Sequence, residues 1–387
     1  MKKICLLGST GSIGEQTIDI IDKNKNDFSL IAVSCARQID KLERILSTHI
    51  SVKYACVKEE KDYLELKEKY QNVTFFFGDK GLLELIAHSN PTLVVNALVG
   101  FSGFIPSAFT LSHDIDLALA NKESLVVGGK IIKDLLKIHN ARLFPIDSEH
   151  VALAKCLENK NRDEVKSLVI TASGGSFRDL SREELKDVTV EQALNHPSWS
   201  MGSKITIDSA TMMNKVFEII EAMYLFDFDI DQIKVLLHDE SVIHSLVEFV
   251  DHSFLADLGP QDMRIPIAHA LYEGKRKEIE VKSLDLETLG SLHFRKYDKN
   301  RYLCVGYALE AIKRGGTLPT ILNASNEEAV YAFINGEIKF LEIEEIISLM
   351  MKTIDIVDEP TIDDIVECDK LTRILTRKEI ERRKVCK

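Results

Sequence analysis

Residues 6–22, LLGSTGSIGEQTIDIID, place an apolar run, three glycines and an amphipathic segment in one short stretch. The run KICLL predicts a strand before the glycines, and apolar residues at helical spacing predict a helix after them. Glycines at such a turn let the backbone approach a pyrophosphate, whose charge the helix N-terminus stabilises. The spacing of Gly8, Gly11 and Gly14 departs from the commoner G-x-G-x-x-G, so a tight turn without a ligand is the alternative.

The first 147 residues continue this alternation of β-rich runs and amphipathic stretches. The strand-like runs are KICLL, FSLIAVSCA, YACV, VTFFF, LVVNAL, IDLALA and RLFPI. Segments such as KLERILSTHI and KIIKDLLKIH separate them, as in a parallel sheet wrapped by helices. We therefore expect an α/β fold with a Rossmann-like domain over residues 1–147.

Three further regions follow. Residues 148–273 mix strand-like runs with one long helical pattern, SATMMNKVFEIIEAMYLF at 209–226, and indicate an α+β catalytic domain. Residues 274–300 are highly charged and weakly periodic, as in an exposed linker. Residues 301–387 carry apolar residues at helical spacing and predict a small C-terminal helical domain.

The composition, 45% hydrophobic and 28% charged, is that of an ordinary soluble globular protein. A formal net charge of -12 argues against nucleic acid or an anionic membrane as the main partner and leaves small anionic substrates open. Seven scattered cysteines without a C-x-x-C pair favour a reducing compartment. No apolar run approaches the ~20 residues that a membrane helix needs. We expect a cytoplasmic protein without a membrane partner.

The end of the second predicted strand, SCARQID at 34–40, bears on the type of cofactor. NAD-selective sites usually carry an acid there, which binds the ribose 2′-hydroxyl. This chain has Arg37 and Gln38 instead, and a guanidinium that pairs with a 2′-phosphate favours NADP. A solvated surface arginine is the alternative.

Two acids, Asp147 and Glu149, stand two positions apart in PIDSEH. In an extended segment their side chains point the same way and repel each other unless a cation, a buried base or solvent intervenes. Mg²⁺ or Mn²⁺ takes oxygen ligands of this kind, whereas two carboxylates sharing a proton is the competing arrangement. A metal accounts for more of the surrounding residues, so we favour it.

The helical pattern at 209–226 predicts a polar face. Asn214, Lys215 and Glu218 fall on it together with Ser209 near its start. Asn214, Lys215 and Ser209 are suitable ligands for a phosphate, and Glu218 is a suitable ligand for a metal. The alternative is an ordinary Lys215–Glu218 ion pair with Ser209 as an N-cap.

Two loops add candidates. Ser173 and the amides of Gly174 and Gly175 follow a predicted strand and suit an oxyanion, with a plain turn as the alternative. The only tryptophan, Trp199, lies in LNHPSWSMGSK between turn-forming residues, which favours a mobile cover over a pocket.

Seven motifs, taken in order, resemble the 1-deoxy-D-xylulose 5-phosphate reductoisomerase family: GSTGSIG, ALANKESLV, PIDSEH, SGG, HPSWSMG, DSATMMNKVFEIIEA and LGPQDMRIPIAHA. The resemblance extends from Gly8 through TILNASNEEAVYAF. It implies an NADPH-dependent oxidoreductase of the non-mevalonate isoprenoid pathway, which uses Mg²⁺ or Mn²⁺ and usually forms a homodimer. The implied reaction is a retro-aldol/aldol rearrangement of 1-deoxy-D-xylulose 5-phosphate followed by reduction to 2-C-methyl-D-erythritol 4-phosphate.

The resemblance also implies roles for individual residues. The implied metal ligands are Asp147, Glu149 and Glu218, which with Lys122 form the catalytic group. The implied cofactor contacts are Thr10, Gly11, Ser12, Ile13, Ala36, Arg37, Gln38, Asn121, Glu123 and Gly202. The implied substrate contacts are Lys122, Ser148, Glu149, Ser173, His196, Ser209, Asn214, Lys215 and Glu218, under a flap formed by Trp199 and Met201. Ala-Arg-Gln stands where family members often have Gly-Lys-Asn, and the positive charge is retained.

Two other functions compete with this one. A different NADP-dependent dehydrogenase, of the semialdehyde or homoserine type, shares a similar glycine turn but has no need of three converging acids. A dinucleotide-sensing regulatory protein would bind the cofactor without catalytic carboxylates.

Overall fold

The computed structural model describes residues 1–199, 201–298 and 300–385. Lys299 of the predicted linker, and Cys386 and Lys387 of the predicted C-terminal domain, lie outside the described residues. None of the described helices is both long and apolar enough to cross a membrane.

Strands and helices alternate along the N-terminal third, and helices dominate the C-terminal third. The strands are β1 (Lys2–Leu7), β2 (Phe28–Cys35), β3 (Tyr54–Val57), β4 (Thr74–Phe77), β5 (Leu93–Asn96), β6 (Asp116–Leu119), β7 (Leu143–Pro145), β8 (Val165–Ala172), β9 (Ile233–His238), β10 (Ile243–Phe249), β11 (Phe254–Leu258) and β12 (Phe294–Lys296). The helices are α1 (Ser12–Lys23), α2 (Ile39–Thr48), α3 (Glu60–Lys69), α4 (Gly78–Ser89), α5 (Phe104–Ser112), α6 (Glu123–Ile138), α7 (Ser148–Leu157), α8 (Val190–Leu194), α9 (Ser203–Thr211), α10 (Met213–Phe226), α11 (Arg264–Leu271), α12 (Leu286–Leu289), α13 (Leu303–Arg314), α14 (Leu318–Ile334), α15 (Glu342–Thr353) and α16 (Ile362–Val385).

The chain divides into two compact units. Unit 1 comprises residues 1–124, 130–151 and 262–281. Unit 2 comprises residues 125–129, 152–261 and, from Lys282 on, the rest of the described chain.

Unit 1 is built on a seven-stranded parallel sheet in the order β4-β3-β2-β1-β5-β6-β7, which confirms the predicted α/β fold. Its central strands are largely apolar because helices cover both faces of such sheets, and Ile4 through Leu7 have no exposed surface. At the edge of the sheet, Thr74 and Phe77 of β4 are exposed. From β1, the chain first adds β2, β3 and β4 on one side of the sheet and then adds β5, β6 and β7 on the other side. The direction of strand addition therefore reverses at β1. Ligands of such sheets bind at this reversal, at the carboxyl ends of the strands.

Unit 2 contains a five-stranded mixed sheet in the order β11-β10-β8-β9-β12. Helix α10 lies between two cores: Ile219 packs with Leu168 and Val247 of the sheet, and Phe217 belongs to the core of the C-terminal helices. The predicted helical C-terminal region is therefore present.

The compact units do not coincide with the predicted domains 1–147, 148–273, 274–300 and 301–387. Residues 262–281 belong to unit 1, where Ile267 and Leu271 of α11 enter the core of the parallel sheet. The C-terminal helices share a core with α10, because each buries its apolar face against the other. The predicted linker also holds β12, which pairs with β9. The division into three domains stays a prediction.

The prediction of one long helix at 209–226 is wrong, because the structure has two helices there. Met212 adopts a left-handed conformation with φ 65°, so α9 ends at Thr211 and α10 begins at Met213. Ser209 therefore lies in the last turn of α9 and is not an N-cap. Met212 is buried, and an apolar residue at that position leaves the helical period of the sequence unchanged.

Candidate functional site

The glycine turn in unit 1 joins β1 to α1. Gly8 has φ 81°, and a Cβ there would lie 2.6 Å from the carbonyl oxygen of Ala97, so only glycine fits. A Cβ at Gly14 would lie 2.3 Å from the carbonyl oxygen of Gly8. Because glycine has no Cβ, α1 can start directly against the turn. Gly11 is exposed, and a Cβ there would meet only the Gly8 oxygen at 3.6 Å. Packing explains two of the three glycines, whereas the approach of a ligand would explain Gly11.

Hydrogen bonds fasten this turn to the end of β2. The amide of Gly8 donates to Ser34 Oγ over 2.9 Å, and the amide of Ser9 donates to the Ser34 carbonyl over 2.9 Å. Thr10 Oγ1 and Cys35 Sγ lie 3.4 Å apart. The exposed segment Ala36–Gln38 therefore begins one residue beyond the contact with the glycine turn. Ser12 and Ile13 open α1, where backbone amides point out of the helix.

Asn121 holds the loop after β5 rather than leaving its amide free. Its Nδ2 donates to the carbonyls of Leu98 and Gly100 over 3.0 and 2.8 Å and to Glu123 Oε2 over 3.1 Å. Its Oδ1 accepts from the amide and hydroxyl of Ser124. The resemblance implies that Asn121 and Glu123 contact the cofactor, and this stays a prediction. A cofactor atom that binds the side chain of Asn121 directly would compete with these hydrogen bonds.

Asp147 is a buried carboxylate with two cationic or polar partners. Lys122 Nζ lies 2.5 Å from Asp147 Oδ2, and His150 Nδ1 lies 3.0 Å from Asp147 Oδ1. Burial by itself raises the pKa of this carboxyl, but the charges and hydrogen bonds of Lys122 and His150 outweigh it and hold the pKa well below its ordinary value. Asp147 is therefore an anionic oxygen donor at neutral pH.

Asp147 and Glu149 converge for a different reason than the sequence indicated. The strand β7 ends at Pro145, and Asp147 caps α7 by accepting the amide of Glu149 over 3.2 Å. Glu149 thus lies in the first turn of α7 and not in an extended segment. In this turn, Ser148 Oγ donates a hydrogen bond to Glu149 Oε2 over 2.6 Å. One carboxylate oxygen of each acid lies within 4.8 Å of one of the other, so a single ligand can contact both.

In unit 2, the polar residues that the sequence predicted on one face of α10 lie together, and the structure shows that Glu218 and Lys215 among them are buried. Glu218 has no exposed surface; Asn214 Nδ2 donates to its Oε1 over 2.6 Å, and the Lys215 ammonium pairs with its Oε2. The Lys215–Glu218 ion pair that we kept as the alternative is therefore present. It is fully buried, however, unlike the exposed i, i+3 pairs that are commonplace on helices.

The turn after β8 places the hydroxyl of Ser173 next to two hydrogen-bond donors, His196 Nε2 and the amide of Gly175. His196 Nδ1 accepts the amides of Ser198 and Trp199 over 3.2 and 3.0 Å, so its proton resides on Nε2, which donates to Ser173 Oγ over 3.0 Å. Burial, together with the charge of Arg178, lowers the pKa of His196 to about 4, so the ring is neutral at pH 7.

Ser173 Oγ also accepts the amide of Gly175 over 3.2 Å. With two donors on this oxygen, the proton of the hydroxyl is directed to a further acceptor, as an anionic ligand would be.

Gly175 brings this turn against α9. It has φ 72°, and a Cβ there would lie 2.4 Å from the carbonyl oxygen of Ser209. The Ser209 hydroxyl donates to the carbonyl of Ile205 over 2.9 Å, as in the interior of a helix. Ser173 and Ser209 are thus carried on two backbone segments in direct contact.

The predicted flap precedes α9. Trp199 and Met201 are half-buried, and the Trp199 ring lies 6.3 Å from that of His244. Gly202, the residue before α9, is exposed and has no atom within 4 Å of a Cβ position. The roles of Trp199 and Met201 as a flap and of Gly202 as a cofactor contact stay predictions.

Among the buried polar residues of unit 2 that sequence reasoning missed, Lys204, Asp208 and Asn326 form one cluster. One signal was available, since a lysine in the first turn of a helix and an acid one turn later run against the helix dipole.

Three family models match the chain. The model described as 1-deoxy-D-xylulose 5-phosphate reductoisomerase matches residues 4–129, and the model of its C-terminal domain matches residues 143–226. A model described as the DXP reductoisomerase C-terminal domain matches residues 258–375.

Full-length relatives are similar in sequence. The 1-deoxy-D-xylulose 5-phosphate reductoisomerase of Geobacillus sp. (strain WCH70) is 47% identical over 379 residues, covering 97% of this chain and 99% of the relative. That of Bacillus pumilus (strain SAFR-032) is 47% identical over 375 residues, covering 96% and 98%.

Solved structures of the same enzyme are similar in fold. A crystal structure of DOX-P reductoisomerase in complex with NADPH, fosmidomycin and magnesium has a TM-score of 0.93 at 37% identity, covering 98% of both chains. The enzyme from Zymomonas mobilis in complex with NADPH has a TM-score of 0.90 at 37% identity, covering 98% of this chain and 99% of that one. Matches of this extent, in sequence and in fold, show that the chain belongs to the 1-deoxy-D-xylulose 5-phosphate reductoisomerase family.

Proposed function

We propose that this protein is an NADPH-dependent oxidoreductase that converts 1-deoxy-D-xylulose 5-phosphate to 2-C-methyl-D-erythritol 4-phosphate with the aid of Mg²⁺ or Mn²⁺. Membership of the family supports this, as do the NADPH, fosmidomycin and magnesium bound in a crystal structure similar over 98% of the chain. Within the chain itself, the observation that carries the proposal is the pair of acids Asp147 and Glu149, which converge at the start of α7.

The acids fit a hard divalent cation. They offer only oxygen donors, and Asp147 is ionised at neutral pH. Asp147, Glu149 and Glu218 would hold the cation. When bound, the cation acts as a Lewis acid toward oxygens of the substrate, and NADPH supplies a hydride.

The substrate phosphate has a proposed site in unit 2. Ser173 would donate its hydroxyl proton, which the bonds from His196 and Gly175 leave available. Ser209, Asn214 and Lys215 complete the proposed site. Binding a group remote from the reacting carbons orients those carbons and favours the transition state.

Lys122 and Glu149 are the proposed groups for proton transfer, and Ser148 and His196 the remaining substrate contacts. Lys122 pairs with Asp147, and Glu149 accepts a hydrogen bond from Ser148. The proposed flap, Trp199 and Met201, would exclude water from the reacting carbons.

The cofactor has a proposed site in unit 1. The amides at the start of α1 and the open side of Gly11 suit a pyrophosphate, and exposed Arg37 suits a 2′-phosphate. The other proposed contacts in this unit are Thr10, Ser12, Ile13, Ala36, Gln38, Asn121 and Glu123. Gly202, which belongs to unit 2, is also a proposed cofactor contact.

We also propose that the protein acts as a homodimer in the cytoplasm. None of its described cysteines forms a disulfide, which fits a reducing compartment. The edge strand β11 exposes Phe254, Leu255 and Leu258, an apolar row that a second copy would cover. Light scattering that shows a monomer at working concentrations would contradict the dimer.

One assay tests the main proposal. Metal-stripped protein is mixed with NADPH and 1-deoxy-D-xylulose 5-phosphate, and the absorbance of NADPH is followed. We expect oxidation only after Mg²⁺ or Mn²⁺ is added, with 2-C-methyl-D-erythritol 4-phosphate as the product. Turnover at the same rate without metal, or no turnover with it, contradicts the proposal.

A further inference from the structure

A buried polar cluster in unit 2 joins α9 to α14. Lys204 Nζ lies 2.8 Å from Asp208 Oδ2, and Asn326 Nδ2 donates to Asp208 Oδ1 over 2.9 Å. The three residues are 7%, 2% and 0% exposed. The Asn326 Oδ1 has no hydrogen-bond partner within the described part of the chain. Three polar side chains are thus kept from water at some cost in free energy.

The cluster is poorly suited to stabilising α9 itself. Lys204 lies in the first turn of α9 and Asp208 one turn later, whereas a helix favours acids at its N-terminus and cations at its C-terminus. Burying an ion pair also costs desolvation, so apolar residues of similar size are often as stabilising. A role in positioning explains the cluster better than a role in stability does.

Helix α9 carries groups of the proposed phosphate site. Ser209 directly follows Asp208, and a Cβ on Gly175 would lie 2.4 Å from the carbonyl oxygen of Ser209 and 2.6 Å from Ala210 Cα. The turn that presents Ser173 therefore lies directly against α9. A displacement of α9 by a few tenths of an ångström has to move this turn or open a gap beside it.

We propose that Asp208, held by Lys204 and Asn326, is a positioning residue of the substrate phosphate site. It ties α9 to α14 and so holds Ser209 and the Ser173 turn in register, without touching the phosphate itself. The proposal rests on the proposed function, because it concerns the phosphate of that substrate.

An apolar replica of the cluster tests the proposal. The variant Lys204→Met/Asp208→Leu/Asn326→Leu keeps side-chain size and removes all three polar groups. We expect a melting temperature close to that of wild type, an unchanged NADPH affinity and a KM for 1-deoxy-D-xylulose 5-phosphate raised about tenfold or more, since misplaced binding groups lose affinity and orientation.

A matched control is available on α6. Lys130 and Asp134 form an exposed pair at the same i, i+4 spacing, with Nζ and Oδ2 3.9 Å apart. We expect Lys130→Met/Asp134→Leu to leave the KM for both substrates unchanged.

Two results would overturn the proposal: a folded apolar replica with the wild-type KM, or one that loses sugar-phosphate and NADPH affinity together, as general loosening would produce. Should the replica not fold, Asn326→Leu removes only the bond between α9 and α14. A raised KM for the sugar phosphate alone then supports the proposal, and an unchanged KM overturns it.

Hydrogen exchange separates this proposal from the proposed function, because it needs no substrate. Faster exchange of the amides at 173–176 in Asn326→Leu supports positioning by α9, and unchanged exchange overturns it. A wild-type protein that does not turn over 1-deoxy-D-xylulose 5-phosphate contradicts only the proposed function.

Discussion

Lys122 Nζ lies 2.5 Å from Asp147 Oδ2, and each of the two side chains is only 10% exposed. The ammonium, with His150, keeps Asp147 ionised despite its burial. The chain thus maintains an anionic oxygen donor in a buried place before any cation arrives. Removing one partner of such a pair leaves an uncompensated buried charge, at a cost of about 3–5 kcal/mol.

We expect Asp147→Asn to weaken Mn²⁺ binding and to abolish most turnover, because an amide oxygen is a neutral and poorer ligand than a carboxylate. The loss of affinity should reach about tenfold or more, as changes even in outer partners of metal ligands cost about that much. Calorimetric titration of the folded protein with Mn²⁺ measures this directly. The exposed acid Asp134 of α6 provides the control Asp134→Asn. Wild-type Mn²⁺ affinity in Asp147→Asn would remove this residue from the metal site.

Arg37→Ala should raise the KM for NADPH by about tenfold or more and change that for NADH little, because only NADPH carries the 2′-phosphate. A hydrogen bond to a charged group is worth about 1.5–3 kcal/mol, and about 1.4 kcal/mol corresponds to a factor of ten. Steady-state kinetics with both cofactors check this. Arg44→Ala, an exposed arginine on α2, is the control. Equal losses for NADPH and NADH would contradict the role assigned to Arg37.

Acid should destabilise the fold through His196. The folded pKa is about 4 against an ordinary 6.5, so between these values the unfolded chain takes up a proton that the folded chain refuses. His196 therefore lowers the free energy of unfolding progressively as pH falls from about 6.5 to about 4, and has no such effect above that range. His196→Asn keeps an N–H donor and cannot take up this proton.

Denaturant unfolding at pH 7 and pH 5 tests this sign. We expect wild type to lose more stability between the two values than His196→Asn does. His252→Asn, at an exposed histidine, is the control and should behave like wild type. An identical loss in wild type and His196→Asn would show that His196 is not buried in its neutral form.

Gly175→Ala and Gly290→Ala form a matched pair. Both glycines have φ near 72°, at 72° and 73°, but a Cβ at Gly175 meets Ser209 O at 2.4 Å whereas nothing lies within 4 Å of one at Gly290. Gly290 has ψ -51°, a combination that side chains rarely adopt, so alanine there should cost about 1–3 kcal/mol of unfolding free energy for its backbone conformation alone. Alanine at Gly175 should cost a further 1–3 kcal/mol or so for overpacking and should raise the KM for the sugar phosphate. Equal losses in the two variants would indicate that the turn does not pack on α9.

Local patterns in the sequence predicted much of this molecule. The strands of unit 1 are short and mostly apolar runs, because a parallel sheet covered on both faces buries most side chains of its central strands. The break at Met212 was missed, since one left-handed residue leaves the helical period intact. The strand β12 was missed because it is three residues long and depends on pairing with β9, which is distant in sequence.

By itself, the sequence determined the parallel sheet, the glycine turn and the family, because burial and backbone shape leave local signatures that are read in order along the chain. Only the tertiary structure decided which polar groups are partners: Lys122 with Asp147, His196 with Ser173, Asn326 with Asp208. Hydrogen bonds act over about 3 Å between residues 23 to 118 positions apart, and no local pattern encodes such a meeting.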